Sequence, residues 1–168
     1  MRNKANNLIS IKAINRRYHG EAFHCSHQDF NDYLQATLYQ SRRTERVYVA
    51  IDESKNIVGY YALTACSIEF DDHDVMETDD KPMIAARIMA LAVDRRMSDR
   101  GIARQLLGHA IMTVYQVIKR DTLDINVILC DTPNSRGKSF YLHYGFMALP
   151  GTQKAVFLPV DSISHLID

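Results

Sequence analysis

The 168-residue sequence has no tryptophan, only three cysteines and four prolines, and no net charge. The cysteines, Cys25, Cys66 and Cys130, are odd in number and form no CxxC pair, which argues against a disulfide framework. No apolar run approaches the roughly 18 residues that a membrane helix needs. The N-terminus lacks the apolar segment of a secretory signal. We therefore expect a cytoplasmic protein with reduced thiols and no membrane association.

The zero net charge gives no general bias toward nucleic acid, but it conceals an asymmetry. Residues 71–80 carry six acids and no Lys or Arg, so the rest of the neutral chain has a net charge of +6. We interpret this segment as a solvated loop, with a flap over a basic surface as the alternative. No repeat or Pro/Gly linker divides the chain, so we expect residues 1–168 to form a single domain.

The hydrophobic pattern predicts elements in the order β-α-β-β-β-α-β-α-β-β, as one mixed sheet with helices packed on it. Ser26 with Asp29 is typical of a capping box at the start of the first helix. The residues on one face of that helix are Phe30, Tyr33, Leu34 and Leu38. Residues 84–94 are almost wholly apolar and are expected to form a central strand buried on both faces. The strands are predicted at 8–14, 47–52, 57–70, 84–94, 125–130, 146–149 and 155–160, and the two later helices at 101–119 and from Pro133 to Gly145.

The turn after the fourth strand, RRMSDRGIARQLL at 95–107, crowds arginines around one glycine. A helix N-terminus presents unpaired N–H groups and a partial positive charge. Gly101 allows a ligand to come close to the backbone, and the guanidinium group of an arginine can donate two hydrogen bonds to a phosphate at once. The turn therefore fits a diphosphate, although on this stretch alone a solvated basic turn is an equally good interpretation. The arginines are Arg95, Arg96, Arg100 and Arg104.

A second motif lies in residues 134–146, NSRGKSFYLHYGF, and with it the chain resembles the GNAT superfamily of acyl-CoA N-acyltransferases. The late motif of that family is N-x-x-A-x-x-F/L-Y-x-x-x-G-F. Gly137 stands here for the usual Ala. The matching positions are Asn134, Phe140, Tyr141, Gly145 and Phe146.

The diphosphate loop of that family, R/Q-x-x-G-x-G/A, is matched less well, at residues 98–103. Gly101 and Ala103 agree with it. Ser98 replaces the usual Arg or Gln, and Asp99 stands where a glycine is usual. A carboxylate there should weaken the binding of a diphosphate unless a neighbouring arginine pairs with it.

The resemblance implies a GNAT fold of the α/β (α+β) class. This is a mixed, mostly antiparallel central sheet with a splay between its two central strands and helices on both faces. It implies acetyl-CoA as co-substrate, no metal, and Tyr141 as the acid that protonates the departing thiolate. Leu91 and Val93 would donate backbone hydrogen bonds to the pantetheine arm or the thioester oxygen, and Asn134 would bond the cofactor or fix the loop around it. The expected cofactor-binding residues are Leu91, Ala92, Val93, Arg95, Arg96, Ser98, Asp99, Arg100, Gly101, Ile102, Ala103, Arg104, Asn134 and Phe140.

A narrower resemblance is to the acetyltransferase toxins of type II toxin–antitoxin systems, whose opening motif is F-x-C-G-x-x-x-L-D-x-W/Y-L. Phe23, Cys25, Tyr33 and Leu34 match it, whereas Ser26, Phe30 and Asn31 depart from it, and Ala90 replaces an Arg of a later stretch. The resemblance implies acetylation of the α-amine of aminoacyl-tRNA, a ribbon-helix-helix antitoxin and a homodimer. Arginines that could contact tRNA phosphates form three groups, at 16–17, 42–46 and 95–96.

Other interpretations of the sequence stay open. A GNAT enzyme could act on a protein N-terminus or a small amine, and the departures at Ser98, Asp99 and Ala90 could mark a decayed site on a binding module. The sequence offers no convincing general base, since Asp94 ends the cofactor strand and Glu69 and His73 would need their loop to fold back. His24, Cys25 and His27 have a spacing that metal sites use, but a second ligand pair is missing, so no metal is expected.

Overall fold

In a computed structural model, residues 8–40, 43–68, 83–120 and 124–163 are described. They contain the strands and α-helices in the predicted order. Within these ranges, no helix combines the length and hydropathy needed to span a bilayer. The acidic segment 71–80 and the base candidates Glu69 and His73 lie outside the described residues. The elements are β1 Ser10–Ala13, α1 Gln28–Leu38, β2 Arg46–Ile51, β3 Ile57–Ile68, β4 Met83–Val93, α2 Ile102–Lys119, β5 Val127–Asp131, α3 Ser135–His143, β6 Met147–Ala148 and β7 Ala155–Pro159.

The strands form one sheet in the order β1-β2-β3-β4-β5-β7-β6. The pairs β1–β2, β5–β7 and β6–β7 are antiparallel, and β4–β5 is parallel. The predicted fold class, a mixed and mostly antiparallel sheet with helices packed on it, is confirmed.

The parallel ladder between β4 and β5 is shorter than β4. It pairs Ala85–Ile88 with residues 127–130. β5 ends one residue later, whereas β4 continues to Val93. The last part of β4, residues 89–93, therefore extends beyond the ladder, and the predicted splay between the two central strands stays a prediction.

Two consecutive tyrosines on β3 show that helices cover both of its faces. Successive side chains of a strand point to opposite sides. The Tyr60 hydroxyl donates to the carbonyl oxygen of Phe30 on α1 at 2.8 Å, and the Tyr61 hydroxyl lies 2.7 Å from Nδ1 of His109 on α2. α1 and α2 consequently pack on opposite faces of this strand.

Strand β4 differs from its prediction in burial. Ile88, Ala90 and Ala92 are buried, but the alternate residues Leu91 and Val93 are only half-buried. The expectation of burial on both faces is therefore wrong for this part of the strand. An apolar residue in the sequence does not show whether its face of the strand is fully or only partly covered.

The start of α1 is a second difference. Its N-cap is His27, and no side chain caps it. The capping box predicted from Ser26 and Asp29 is therefore wrong. The chain before the helix is held instead by the amide of Asn31, which bonds both backbone groups of Cys25.

By internal packing the chain divides into two compact units. The first contains the described parts of 1–62 and 90–110, and the second those of 63–89 and 111–168. Each has buried apolar residues of its own, and the prediction of a single domain over 1–168 stays a prediction. The largest buried side chains are Leu34, Val49, Ile57, Tyr60, Tyr61, Ile102 and Leu106 in the first unit and Ile88, Val114, Ile128, Val156 and Ile163 in the second.

Candidate active site

The end of β4 presents backbone donors at a free edge. The N–H of Asp94 donates to the carbonyl of Val58 on β3 at 2.9 Å. Backbone groups alternate between the two edges of a strand, so the N–H of Ala92 also points toward β3. The N–H groups of Leu91 and Val93 then point to the opposite edge, where the ladder with β5 has already ended. The two residues predicted as backbone donors are thus on the edge that β3 does not use.

Asp94 organises the turn that follows. Its carboxylate is buried and accepts from the backbone N–H of Arg96 at 2.9 Å and from Nε and Nη2 of the same arginine at 3.0 and 3.1 Å. It also accepts from the backbone N–H of His24 at 3.2 Å. Burial acts to raise the pKa of Asp94, but these hydrogen bonds outweigh it and leave the pKa below the ordinary value. Asp94 is therefore a structural anion and not a base, and Arg96, predicted to bind phosphate, already has a partner.

Two residues of the turn have left-handed backbone conformations. Asp99 has φ 61° and Gly101 has φ 77°. This region is costly for most side chains but is visited by Asp, Asn and above all Gly. The conformation gives a physical reason why a glycine is usual at the position of Asp99 in the family that the sequence resembles. A Cβ on Gly101 would meet nothing within 4 Å, so the backbone is open to a ligand there.

Helix α2 starts at the end of this turn. The N–H of Gln105 bonds the carbonyl of Gly101 at 3.1 Å, which closes the first turn of the helix. The N–H groups of residues 102–104 therefore have no partner inside the helix and carry the positive end of its dipole. Such a helix start is suited to an anion, and phosphate above all. Three predicted phosphate-binding arginines are exposed beside it, namely Arg95, Arg100 and Arg104.

Gly59 on β3 fixes the position of this helix end. A Cβ there would lie 3.0 Å from Cδ1 of Leu106, 3.1 Å from Cγ2 of Ile102 and 3.1 Å from the carbonyl oxygen of Ala92. α2 thus packs directly on the sheet where β3 has no side chain. Sequence reasoning missed this residue, although a single glycine within a strand pattern is a known sign of close backbone approach.

Tyr141, on α3, is buried among aromatic side chains. It is 4% exposed, and its ring lies 5.3 Å from that of Phe140 and 5.4 Å from that of Phe146. The thiol of Cys130 on β5 lies next to it. Burial, and then the neighbouring Cys130, raise the pKa of Tyr141 well above its usual range. The phenol therefore keeps its proton at neutral pH and can supply it to a stronger base.

Asn134, predicted to bind the cofactor or to fix the loop around it, caps α3. Its side-chain oxygen accepts from the N–H of Gly137 at 2.9 Å. The helix ends at His143, and Gly145 follows with φ 92°, as predicted for a glycine that ends a helix. The late motif thus builds a short capped helix that carries Tyr141. Phe140, predicted to contact the cofactor, is half-buried beside it.

Of the possible metal ligands before α1, Cys25 bonds the backbone of the same segment. The thiol of Cys25 donates to the carbonyl oxygen of His27 at 3.2 Å, and burial raises the pKa of that thiol. In the part of the chain that the structure describes, no three His, Cys, Asp or Glu side chains are grouped closely enough to hold a metal ion.

A central strand that continues beyond its parallel ladder, backbone donors on the edge that β3 does not use and a helix starting on an arginine-rich glycine turn define an acetyltransferase of the GNAT type. The family model described as an acetyltransferase (GNAT) domain matches residues 43–148. The chain belongs to the GNAT acetyltransferase family, and the resemblance seen in the sequence is confirmed.

Two curated relatives with similar sequences are named as toxins. A probable toxin TacT of Sinorhizobium fredii is 26% identical over 165 residues, which cover 90% of this chain and 90% of the relative. A tRNA-acetylating toxin of Mycobacterium tuberculosis is 27% identical over 133 residues, covering 77% of this chain and 78% of the relative.

Solved structures have the same fold. A crystal structure of AtaTR bound with AcCoA superposes with a TM-score of 0.81 at 23% identity, covering 95% of this chain and 98% of that chain. AtaT complexed with acetyl-methionyl-tRNAfMet gives a TM-score of 0.81 at 21% identity, covering 96% and 100%. At this level of identity the likeness concerns the fold.

Proposed function

We propose that this GNAT protein transfers the acetyl group of acetyl-CoA to the α-amine of the aminoacyl group on charged tRNA, and so acts as a toxin that blocks translation. The observation that carries the proposal is the likeness, over 90% and 77% of the chain, to a probable toxin and a tRNA-acetylating toxin. We assign the whole of residues 1–168 to one acetyltransferase domain.

The end of β4 and the turn after it support the binding of acetyl-CoA. The N–H groups of residues 102–104 and the arginines beside them suit the diphosphate, and the open side of Gly101 lets it approach the backbone. The N–H groups of Leu91 and Val93 would bond the pantetheine arm or the thioester oxygen. Preorganised donors of this kind stabilise the negative charge that develops on that oxygen during acyl transfer.

We assign the proton transfer to Tyr141. In the proposed reaction the amine nitrogen bonds to the acetyl carbon, the carbon–sulfur bond breaks, and the sulfur leaves with the bonding electrons. Tyr141 gives its hydroxyl proton to that sulfur and regains one from solvent. The amine loses its own proton to water. General acid catalysis by a positioned side chain typically contributes about 10²–10⁴-fold to a rate.

An α-amine suits a site without a dedicated base. Its ordinary pKa is about 7.7–8.0, against about 10.4 for lysine, so much of it is already unprotonated at neutral pH. The carboxylate of Asp94 is fully engaged in the turn and does not compete for the role of base.

A tRNA acceptor also requires cations that contact phosphates. In the first unit the exposed arginines outside the turn include Arg16, Arg17, Arg43 and Arg46. Arg16 is partly engaged, since its Nη2 donates to the carbonyl of Tyr39 at 3.2 Å. We propose that these groups contact the tRNA backbone.

We further propose a cytoplasmic homodimer that is held inactive by a ribbon-helix-helix antitoxin. A neighbouring structure is described as a mutant toxin bound to the C-terminus of the antitoxin AtaR, which supports a partner of this kind.

The test is brief induction of the chain without its gene neighbour in cells fed labelled acetate, followed by mass spectrometry of RNA and protein. We expect arrested growth and label on the aminoacyl group of charged tRNA, both lost in Tyr141→Phe. Label on protein N-termini or a small amine, with normal growth, would instead favour another GNAT activity. Calorimetry that detects no acetyl-CoA binding would indicate a binding module that has lost its chemistry.

A further inference from the structure

Asn31, on the buried side of α1, holds His24 and Cys25 in the segment before the helix. Its Oδ1 accepts from the backbone N–H of Cys25 at 2.8 Å, and its Nδ2 donates to the carbonyl oxygen of Cys25 at 3.2 Å. The same Nδ2 lies 3.3 Å from Nδ1 of His24. Because one end of the amide faces an N–H and the other a carbonyl, its orientation is determined by chemistry.

This orientation determines the tautomer of His24. An amide nitrogen can only donate, so Nδ1 of the imidazole must accept, and an accepting Nδ1 carries no proton. The proton of the neutral ring then lies on Nε2, on the opposite side of the ring from Asn31. His24 is exposed. It therefore presents an N–H donor and not a basic nitrogen.

The backbone of His24 attaches this ring to the arginine-rich turn. Its N–H donates to Oδ2 of Asp94 at 3.2 Å, and its carbonyl accepts from the N–H of Arg95 at 3.0 Å. Arg96 extends the linkage, since its Nη2 donates to the carbonyl of Ala22 at 3.3 Å. The imidazole is thus fixed beside the start of the turn by bonds that do not involve its own Nε2.

A further N–H donor would favour the binding of a phosphate at this turn. Arg96 is engaged by Asp94, and Asp99 adds a negative charge close to the helix start. We propose that the Nε2–H of His24 donates a hydrogen bond to a phosphate oxygen of the ligand bound at this turn, and that Asn31 is the positioning residue that keeps the ring in that tautomer. The inference rests on the proposed function, and the phosphate can come from acetyl-CoA or from the tRNA backbone.

Equilibrium binding to the full chain tests the role of the ring. We expect His24→Ala to weaken binding about tenfold, as typical for loss of a hydrogen bond to a charged group. His24→Gln should recover part of the loss, because its Nε2 can place an N–H near the same point. His143→Ala is the matched control, since His143 is an exposed histidine on α3 outside the turn.

Two ligands distinguish the sources of phosphate. A higher Kd for acetyl-CoA in calorimetry would assign the bond to the cofactor, and a higher Kd for tRNA alone would assign it to the RNA. Unchanged Kd values for both would overturn the inference. Neither measurement requires turnover. If His24→Ala raises either Kd but no acetyl group is found on tRNA, the role of His24 is retained and the proposed acceptor is removed.

The tautomer is measured directly by ¹⁵N spectra of the histidine rings. We expect the neutral His24 ring to carry its proton on Nε2 in the wild type. In Asn31→Asp the carboxylate would accept instead, which should move the proton to Nδ1 or add a second one. A wild-type ring that is protonated on Nδ1 would contradict the inference whatever the binding results.

Discussion

The arginine-rich turn and the surroundings of Tyr141 differ in their exposure and in the number of groups that act. The turn, residues 94–104, is largely exposed, uses backbone N–H groups and cations, and includes two residues in the left-handed region. Tyr141 is a single hydroxyl enclosed by aromatic rings and a thiol. Binding of a charged group can be shared among many weak donors, whereas a proton must come from one atom. Substitutions in the turn should therefore have graded effects, and substitution of Tyr141 an abrupt one.

The largest expected effect is that of Tyr141→Phe. Removal of the hydroxyl should lower kcat by at least about 100-fold, because the thiolate then leaves without a proton donor. The Kd for acetyl-CoA should change little, since Phe keeps the ring that packs against Phe140 and Phe146. Stopped-flow detection of free thiol and calorimetry give the two quantities. A kcat close to that of the wild type would remove Tyr141 from the mechanism, although the fold assignment would stand.

Asp94→Asn should have the next largest effect, on stability. The amide keeps the shape but has only one acceptor oxygen, so a hydrogen bond of the buried Asp94 side chain to a backbone N–H is lost, and we expect the free energy of unfolding to fall by about 2 kcal/mol. Because the pKa of Asp94 is lowered in the folded state, its contribution is complete above the ordinary pKa of Asp and is lost as pH falls through the lowered value. Urea denaturation at neutral and acidic pH measures this. The exposed Asp124→Asn is the control, and an equal loss there would argue against the role of Asp94.

Arg104→Ala should weaken acetyl-CoA binding about tenfold, because it removes a charged donor at the helix start. The loss should shrink as salt is added, since salt screens exposed charges. Arg120→Ala removes an equal exposed charge just beyond the other end of α2 and should change the Kd little. Equal effects of the two substitutions would mean that overall charge, not the turn, sets affinity.

The smallest expected effect is a gain. Asp99→Gly should tighten acetyl-CoA binding about threefold, since it removes a negative charge near a phosphate and gives the left-handed position its preferred residue. Asp99→Asn separates these causes, because it removes the charge and keeps the side chain. If neither substitution changes the Kd, Asp99 does not face the diphosphate.

The order of the elements could be predicted because hydrophobic periodicity records which faces are buried. Gly145 could be placed because a helix end requires a residue that accepts positive φ. The start of α1 could not, since a cap depends on which single residue leaves the helical conformation, and Ser26 lies one position too early.

The features of the site that could not be predicted are side-chain pairings, because a local sequence pattern does not show which residue a side chain will bond. Arg96 resembles any arginine of the turn until Asp94 is seen to bind it. Asn31 reads as a surface residue, yet it is buried because both ends of its amide are satisfied by Cys25. Such pairings depend on which segments fold against one another, and a single sequence carries no record of that.

Gly59 shows how a residue can govern affinity without touching a ligand. Since α2 lies against the bare backbone of β3 at that point, an added methyl group would crowd Leu106 and Ile102 of the helix and the carbonyl of Ala92, and these neighbours would have to shift by a few tenths of an ångström. The placement of the amide groups proposed to bind the diphosphate therefore depends on a glycine behind them in the sheet.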